Sequence, residues 1–240
     1  MKKEKTHKLS NLLLENCISY YWMGFLLADG HFSENGIMKI KLSSIDKEHL
    51  YKLKGFIKAD TILSESGGKY LTIKIMDKKV VASLKKKFNI SNTKTYNPPN
   101  LDFIKRNDLL ISLIAGFIDG DGYIAKKKDA FCLSVKCHSS WLNNLDKFAK
   151  AIHPDSSANI NGAGYAIFSI SNIEKLQELK KKILKFKLPV LERKWDLIDL
   201  KHFRNKKNEE SKFIKFEKLF NHFQTFAPFE QKFNKLIYGK

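Results

Sequence analysis

Two aspartates carry the first hint of chemistry. Asp29 and Asp121 each close an apolar stretch and each precede a glycine, in residues 22–30 (WMGFLLADG) and 114–122 (IAGFIDGDG). Each stretch reads as a helix that stops at Asp-Gly. A helix C-terminus carries partial negative charge and disfavours a carboxylate by about 0.3–1 kcal/mol, so a compensating cation is expected at both ends. Gly24 and Ala28 in the first stretch, and Gly116 and Gly120 in the second, lie one turn apart on one face, where small residues let two helix backbones approach closely. If the two helices pack side by side and parallel, Asp29 and Asp121 become neighbours. Adjacent carboxylates repel unless they share a proton or bind a metal, and a pair of Mg²⁺ ions is an arrangement that hydrolyses phosphodiesters by in-line displacement. The alternative is that both helices are simply core, with small residues chosen for packing.

The elements that would hold these acids follow from periodicity. After Gly30 the pattern has period two: Met38, Ile40 and Leu42 face one way, Lys39, Lys41 and Ser43 the other, as in a half-buried strand. Residues 46–57 return to helical spacing through Leu50, Leu53 and Ile57. Residues 61–66 and 70–76 around Gly67 and Gly68 predict a hairpin, and 80–88 a closing helix. The predicted order is helix, two strands, helix, two strands, helix. It then recurs, because residues 37–88 align with 132–183 without a gap at a constant offset of 95, pairing Lys41 with Lys136, Gly67 with Gly162 and Tyr70 with Tyr165. The apolar stretches align at an offset of 92, which puts a three-residue insertion near 126–128, at an expected hairpin tip. A duplicated unit of about 90 residues is too long for a solenoid repeat and fits two half-domains related by pseudo-twofold symmetry. The expected division is a lead-in at 1–17, half-domains at 18–98 and 99–200, and a helical extension at 201–240. Asn107 or Asp108 is expected to cap the second acid-bearing helix. In the extension, Phe213, Phe216, Phe220 and Phe223 have helical spacing and predict a packing helix, with stacking on bases as the alternative.

Composition narrows the partner. With a net charge of +19 and a pI near 9.7, the chain calls for a polyanion, and nucleic acid is the first candidate. Arginine occurs only at 106, 193 and 204, so the charge suits phosphate contact more than bidentate reading of guanine. A lysine-rich surface that serves only solubility is the alternative. Cys17, Cys132 and Cys137 show no metal-ligand spacing, and an odd count fits a reducing compartment, with the three read as small buried hydrophobes. The charged N-terminus lacks a signal-peptide apolar core and no run approaches a membrane span, so the expectation is a soluble intracellular protein with no membrane partner.

Both apolar stretches resemble the signature of the LAGLIDADG homing endonucleases, and two copies in one chain resemble the monomeric, pseudo-symmetric branch. The second copy matches closely. The first departs at Trp22, Met23 and Leu27, where the family has Leu, Ala and its earlier, non-catalytic Asp, which Asp119 matches in the second copy. The resemblance implies an α+β fold of two tandem αββαββα half-domains whose antiparallel sheets form a DNA-binding saddle. It implies that Asp29 and Asp121, with the carbonyls of Ala28 and Gly120, hold Mg²⁺ or Mn²⁺ at the scissile phosphates of a long, asymmetric duplex site. Lys94 and Lys194 match a basic position after the third helix of each half that polarises the attacking water or stabilises developing charge. Ser43 and His138 fall near a position that orders active-site water, and Lys47 near a second basic position. A chain that starts at Met1 without intein termini fits a free-standing or intron-encoded protein, in an organelle, a phage-infected cell or a bacterial cytoplasm. A maturase that binds intron RNA, or a regulator that binds DNA without cutting it, are the alternatives on the same scaffold.

Alternation on each sheet names the residues that would meet DNA. In the first half these are Lys39, Lys41, Ser43, Ser64, Ser66, Thr72 and Lys74, with Lys47 beyond the strand; in the second they are Ser134, Lys136, His138, Asn159, Asn161, Ser169 and Ser171. A β surface of such side chains fits a major groove, although a solvated sheet face would look much the same.

Overall fold

The computed structural model describes residues 7–59, 64–127 and 130–198. The helix expected within 201–240 and the tip of the insertion at 128–129 lie outside the described residues. The first half runs α1 (Cys17–Asp29), β1 (Gly30–Phe32), β2 (Ile37–Ser43), α2 (Lys47–Phe56), β3 (Ser64–Ser66), β4 (Tyr70–Met76) and α3 (Lys78–Lys87). The second repeats it as α4 (Asn107–Asp121), β5 (Gly122–Lys127), β6 (Ala130–His138), α5 (Leu142–Ile152), β7 (Asn159–Ile160), β8 (Tyr165–Ile170) and α6 (Ile173–Lys185), followed by the short α7 (Glu192–Trp195). The result is α+β, with two four-stranded antiparallel sheets of order β1-β2-β4-β3 and β5-β6-β8-β7. This is the αββαββα duplication that the periodicity and the offset predict.

Local sequence explains where these elements begin. Asn16 caps α1 through Ser19 N, Asp77 caps α3 through Val80 N, and Asn172 caps α6 through Lys175 N. The expected cap on α4 is not made: Asn107 and Asp108 are already helical, Arg106 is the capping residue without a side-chain bond, and the Asp108 carboxylate instead takes the Arg106 guanidinium at 2.6 Å. The β3–β4 turn places Gly67 and Gly68 at φ +59° and +69°, a region that only glycine enters freely. Leu9 and Leu12 of the lead-in are fully buried, and Asn11 Nδ2 donates to Phe56 O at 2.7 Å, so this segment packs on the first half. The cysteines are free and half-buried, not the buried hydrophobes expected: Cys17 opens α1, Cys132 shares the outward row of β6 with Ser134 and Lys136, and Cys137 faces inward only at the end of that strand.

The core centres on α1 and α4. Ser19 to Leu27 and Leu109 to Asp119 are buried all round, so neither helix is amphipathic. Each large apolar side chain buried there contributes about 1.5–3 kcal/mol. The two helices touch through bare backbone: a Cβ on Gly24 would lie 1.8 Å from Leu113 O, and one on Gly116 would lie 1.8 Å from Tyr21 O. At Gly120 a Cβ would meet the Ala28 methyl at 2.4 Å. Gly30 and Gly122 are extended, at φ −81°, so their glycines serve close approach and not a left-handed cap: a Cβ would lie 2.5 Å from Leu26 O and Ile118 O respectively.

After its third helix, each half sends a segment onto the other. The segment after α3 is gripped by the second half: Ser140 Oγ donates to Thr95 O at 2.9 Å, Trp141 Nε1 to Lys94 O at 3.1 Å, Asn144 Nδ2 to Pro99 O at 2.9 Å and Lys147 Nζ to Leu101 O at 2.7 Å. The segment after α6 is gripped by the first half, where Lys52 Nζ donates to Val190 O at 3.3 Å and to Glu192 at 2.6 Å, and the Arg193 guanidinium forks onto Asp46. Positions 46 and 52 correspond to 141 and 147 at the repeat offset, so the two grips use equivalent corners of the two halves.

Candidate active site and nucleic-acid face

The backbone contact of α1 with α4 brings their C-terminal acids together. Asp29 Oδ2 is 3.3 Å from where a Gly120 Cβ would stand, one residue from Asp121. Both carboxylates reach solvent, yet the protein packed around them and their mutual charge govern their acidity. Asp29 is raised to about 6, first by desolvation, then by Asp121, with Lys194 and Lys94 opposing. Asp121 is also raised by desolvation, against the same two lysines.

The cations that the helix termini require are Lys94 and Lys194. Lys94 Nζ donates to Leu27 O and, at 2.8 Å, to Ala28 O. Lys194 Nζ donates to Ile118 O at 3.0 Å, Asp119 O at 2.7 Å, Gly120 O at 3.3 Å and Gly122 O at 2.7 Å. An ammonium at each negative helix pole offsets the carboxylate placed there. Burial lowers both lysines, and the neighbouring acids raise them again.

The two ends are braced unequally. In the second half the buried Asp119 carboxylate accepts from Tyr21 OH at 2.6 Å, Leu191 N at 2.9 Å and Trp195 Nε1 at 2.7 Å, tying α4 to α1 and to the segment that carries Lys194. Burial pushes Asp119 up to about 6 despite these three donors. Since Tyr21 OH donates to Asp119, the His49 Nε2 that lies 3.0 Å from it must carry hydrogen, which leaves His49 Nδ1 buried without a partner. Desolvation lowers His49 to about 3, keeping it neutral. The equivalent of Asp119 in the first half is Leu27, 1% exposed, so no such network exists at that end. Sequence reading missed the roles of Tyr21, His49, Asp46, Arg193 and Trp195. Only the side-by-side Arg193, Lys194 and Trp195 offered a signal.

Among the described residues no three His, Cys, Asp or Glu side chains cluster as metal ligands. The donors at the helix ends are two carboxylates and backbone carbonyls. All are hard oxygens, and Mg²⁺ commonly takes only one or two carboxylates and completes its shell with water and phosphate. The Ala28 and Gly120 carbonyls already accept from Lys94 and Lys194, and each retains a second lone pair. The residues therefore fit such an ion.

The outward sheet faces carry most of the expected side chains. In β2 and β4, Lys39, Lys41 and Lys74 are exposed and Ser43 half-buried. Thr72 is only 9% exposed, so it is not the open contact that alternation suggests. Ser64 and Ser66 pair with Thr72 and Tyr70. Lys47 is exposed but begins α2, off the strand. In the second sheet Lys136, Asn159 and Ser169 are exposed and Ser134 bonds Ser169 across the strands at 3.0 Å. Asn161 lies past β7, where its carboxamide oxygen accepts from Ala163 N and Tyr165 N and closes the hairpin. Ser171 is exposed just beyond β8. Ser43 and His138 each accept a backbone N–H, of Ile45 and Ser140, at matching strand ends. The outward rows also hold residues not anticipated as contacts: His31, Tyr70, Tyr123, Tyr165 and Ile167.

Two tandem αββαββα units joined through glycine-packed helices that end in acids define the LAGLIDADG homing-endonuclease fold, in its single-chain form. Three solved structures are similar over most of the chain. I-GzeII in complex with its DNA target has a TM-score of 0.55 at 14% identity, over 83% of this chain and 96% of that one. I-SmaMI bound to uncleavable DNA with a TTCT central four gives 0.57 at 12%, over 83% and 96%. I-LtrWI bound to target DNA gives 0.56 at 11%, over 88% and 97%. I-SmaMI is also known bound to uncleaved target in the presence of calcium ions. No family model matches the chain, and no curated protein does. No described helix is long and apolar enough to cross a membrane.

Proposed function

We propose that the protein is a site-specific, metal-dependent endonuclease that hydrolyses one phosphodiester on each strand of a long, asymmetric DNA duplex. The observation that carries this reading is the pair of helix-terminal carboxylates, Asp29 and Asp121, at the ends of two helices in backbone contact, with an ammonium on the carbonyls of each helix end. Asp29 and Asp121, with the carbonyl oxygens of Ala28 and Gly120, would hold Mg²⁺ or Mn²⁺, which supplies Lewis-acid activation and a nucleophile for in-line displacement. Lys94 and Lys194 fix the ends of α1 and α4 and place positive charge where the phosphate gains negative charge. The outward sheet residues bind and orient the duplex. Because the two faces differ in sequence, their half-sites differ.

The test is selection of cut molecules from a randomised duplex library in Mg²⁺. Asp29→Asn and Asp121→Asn should abolish cutting while a mobility-shift assay still shows binding. Duplex that stays bound but uncut in both Mg²⁺ and Mn²⁺ would favour a non-cleaving regulator. Retention of intron RNA at salt that releases DNA would favour a maturase.

A further inference from the structure

Most of the outward face has diverged between the two sheets, but one arrangement has not. In the row His31, Lys39, Lys74 the first sheet is basic, whereas the matching row Tyr123, Ser134, Ser169 is neutral. One step along, Lys41 Nζ stands 4.3 Å from the centroid of the Tyr70 ring, and Lys136 Nζ stands 4.1 Å from that of Tyr165. These four residues occupy equivalent positions, with Tyr70 opposite Ser43 and Tyr165 opposite His138. All four are exposed, the tyrosines at 44% and 43%, so neither pair serves the core. An exposed Lys–Tyr contact adds little to stability, but it limits the wandering of a long side chain and aims its ammonium.

A duplex presents the same phosphates to both halves and different bases to each. We infer that Lys41 with Tyr70, and Lys136 with Tyr165, form a matched pair of phosphate clamps that seat any duplex on the two sheets regardless of sequence. The diverged row, Lys39 and Lys74 against Ser134 and Ser169, is left to distinguish the half-sites. The inference rests on the DNA-binding part of the proposed function and names residues and a role within it.

The experiment is a salt titration of affinity for a labelled duplex of random sequence, using the full chain. Each phosphate contact contributes about −0.9 to the slope of log K against log salt. Lys41→Gln with Lys136→Gln should make that slope shallower by about 2 on every duplex tried, with thermal unfolding unchanged because the side chains are exposed. Tyr70→Leu with Tyr165→Leu should keep the slope and weaken binding at fixed salt by about two- to fivefold, with recovery in the Phe variants, which keep the ring face. A lysine double variant with the parental slope overturns the inference while DNA binding stands. A parent chain that binds no duplex overturns the DNA reading itself, and the clamps with it.

Discussion

Gly116→Ala tests the contact on which the site depends. In an ordinary helix interior this substitution is favourable by about 0.8–1 kcal/mol, because alanine restricts the unfolded chain. At Gly116 the added Cβ would stand 1.8 Å from Tyr21 O and 2.8 Å from Phe25 N, both backbone atoms that no rotamer change can move. Ordinary contact begins near 3.4 Å, so α1 and α4 must part along their central stretch. Overpacking of this kind costs about 1–3 kcal/mol or more, enough to reverse the propensity gain. The structure supplies its own control. Gly55 in α2 has nothing within 4 Å of its Cβ position, so Gly55→Ala should stabilise by roughly 0.5–1 kcal/mol. Urea unfolding of parent, Gly55→Ala and Gly116→Ala at matched pH reads the difference, and cleavage of a selected target should fall in Gly116→Ala because its acids are displaced. If both alanine variants are stabilised alike, the backbone contact between the helices does not exist and the pairing of Asp29 with Asp121 falls with it.

Other outcomes follow from the same geometry. Asp119→Asn turns its NH₂ toward Tyr21 OH, Leu191 N or Trp195 Nε1 whichever way the amide is set; leaving a buried donor unpaired should cost about 1–3 kcal/mol in urea unfolding. Lys194→Met withdraws an ammonium from four carbonyls and should destabilise by about 1–3 kcal/mol, more than Lys94→Met, which withdraws one from two. Asp29, raised from 3.8 to about 6, gives stability that is fully present below its unfolded value and is lost as pH rises through 6. Asp29→Asn should therefore raise the Tm relative to the parent at about pH 8 and leave it unchanged near pH 4, by an amount reduced by solvent screening of the exposed carboxylate. Equal shifts at both pH values would show that desolvation and repulsion of the Asp29 carboxylate are not the cause.

The elements were legible because their signals are local. Alternation in 37–43 and the glycine pair at 67 and 68 specify strand and turn without help from the rest of the chain, and the constant offset of 95 carried the assignment to the second half. Asp29, Asp121 and the need for a cation beside each were legible for a similar reason, since helix polarity is set within one turn. The burial of Thr72 could not be read, because alternation assigns a residue to a face and not its exposure there. Asn161 departs from the alternation because β7 ends at Ile160, and the Asn161 carboxamide closes the turn that follows. The Asp119 network was invisible because it joins Tyr21, His49, Leu191 and Trp195, whose partnership depends entirely on how α1, α2 and α7 meet.

The crossed grips bear on how such a chain could be re-engineered. A chimera cut near residue 99 would carry Lys94 and Thr95 away from Trp141 and Ser140, the corner that seats them, and would part Arg193 from Asp46. Transplanting a half therefore means grafting its neighbour's corner as well, so recombination boundaries drawn along the primary sequence will sever what the fold has interlocked.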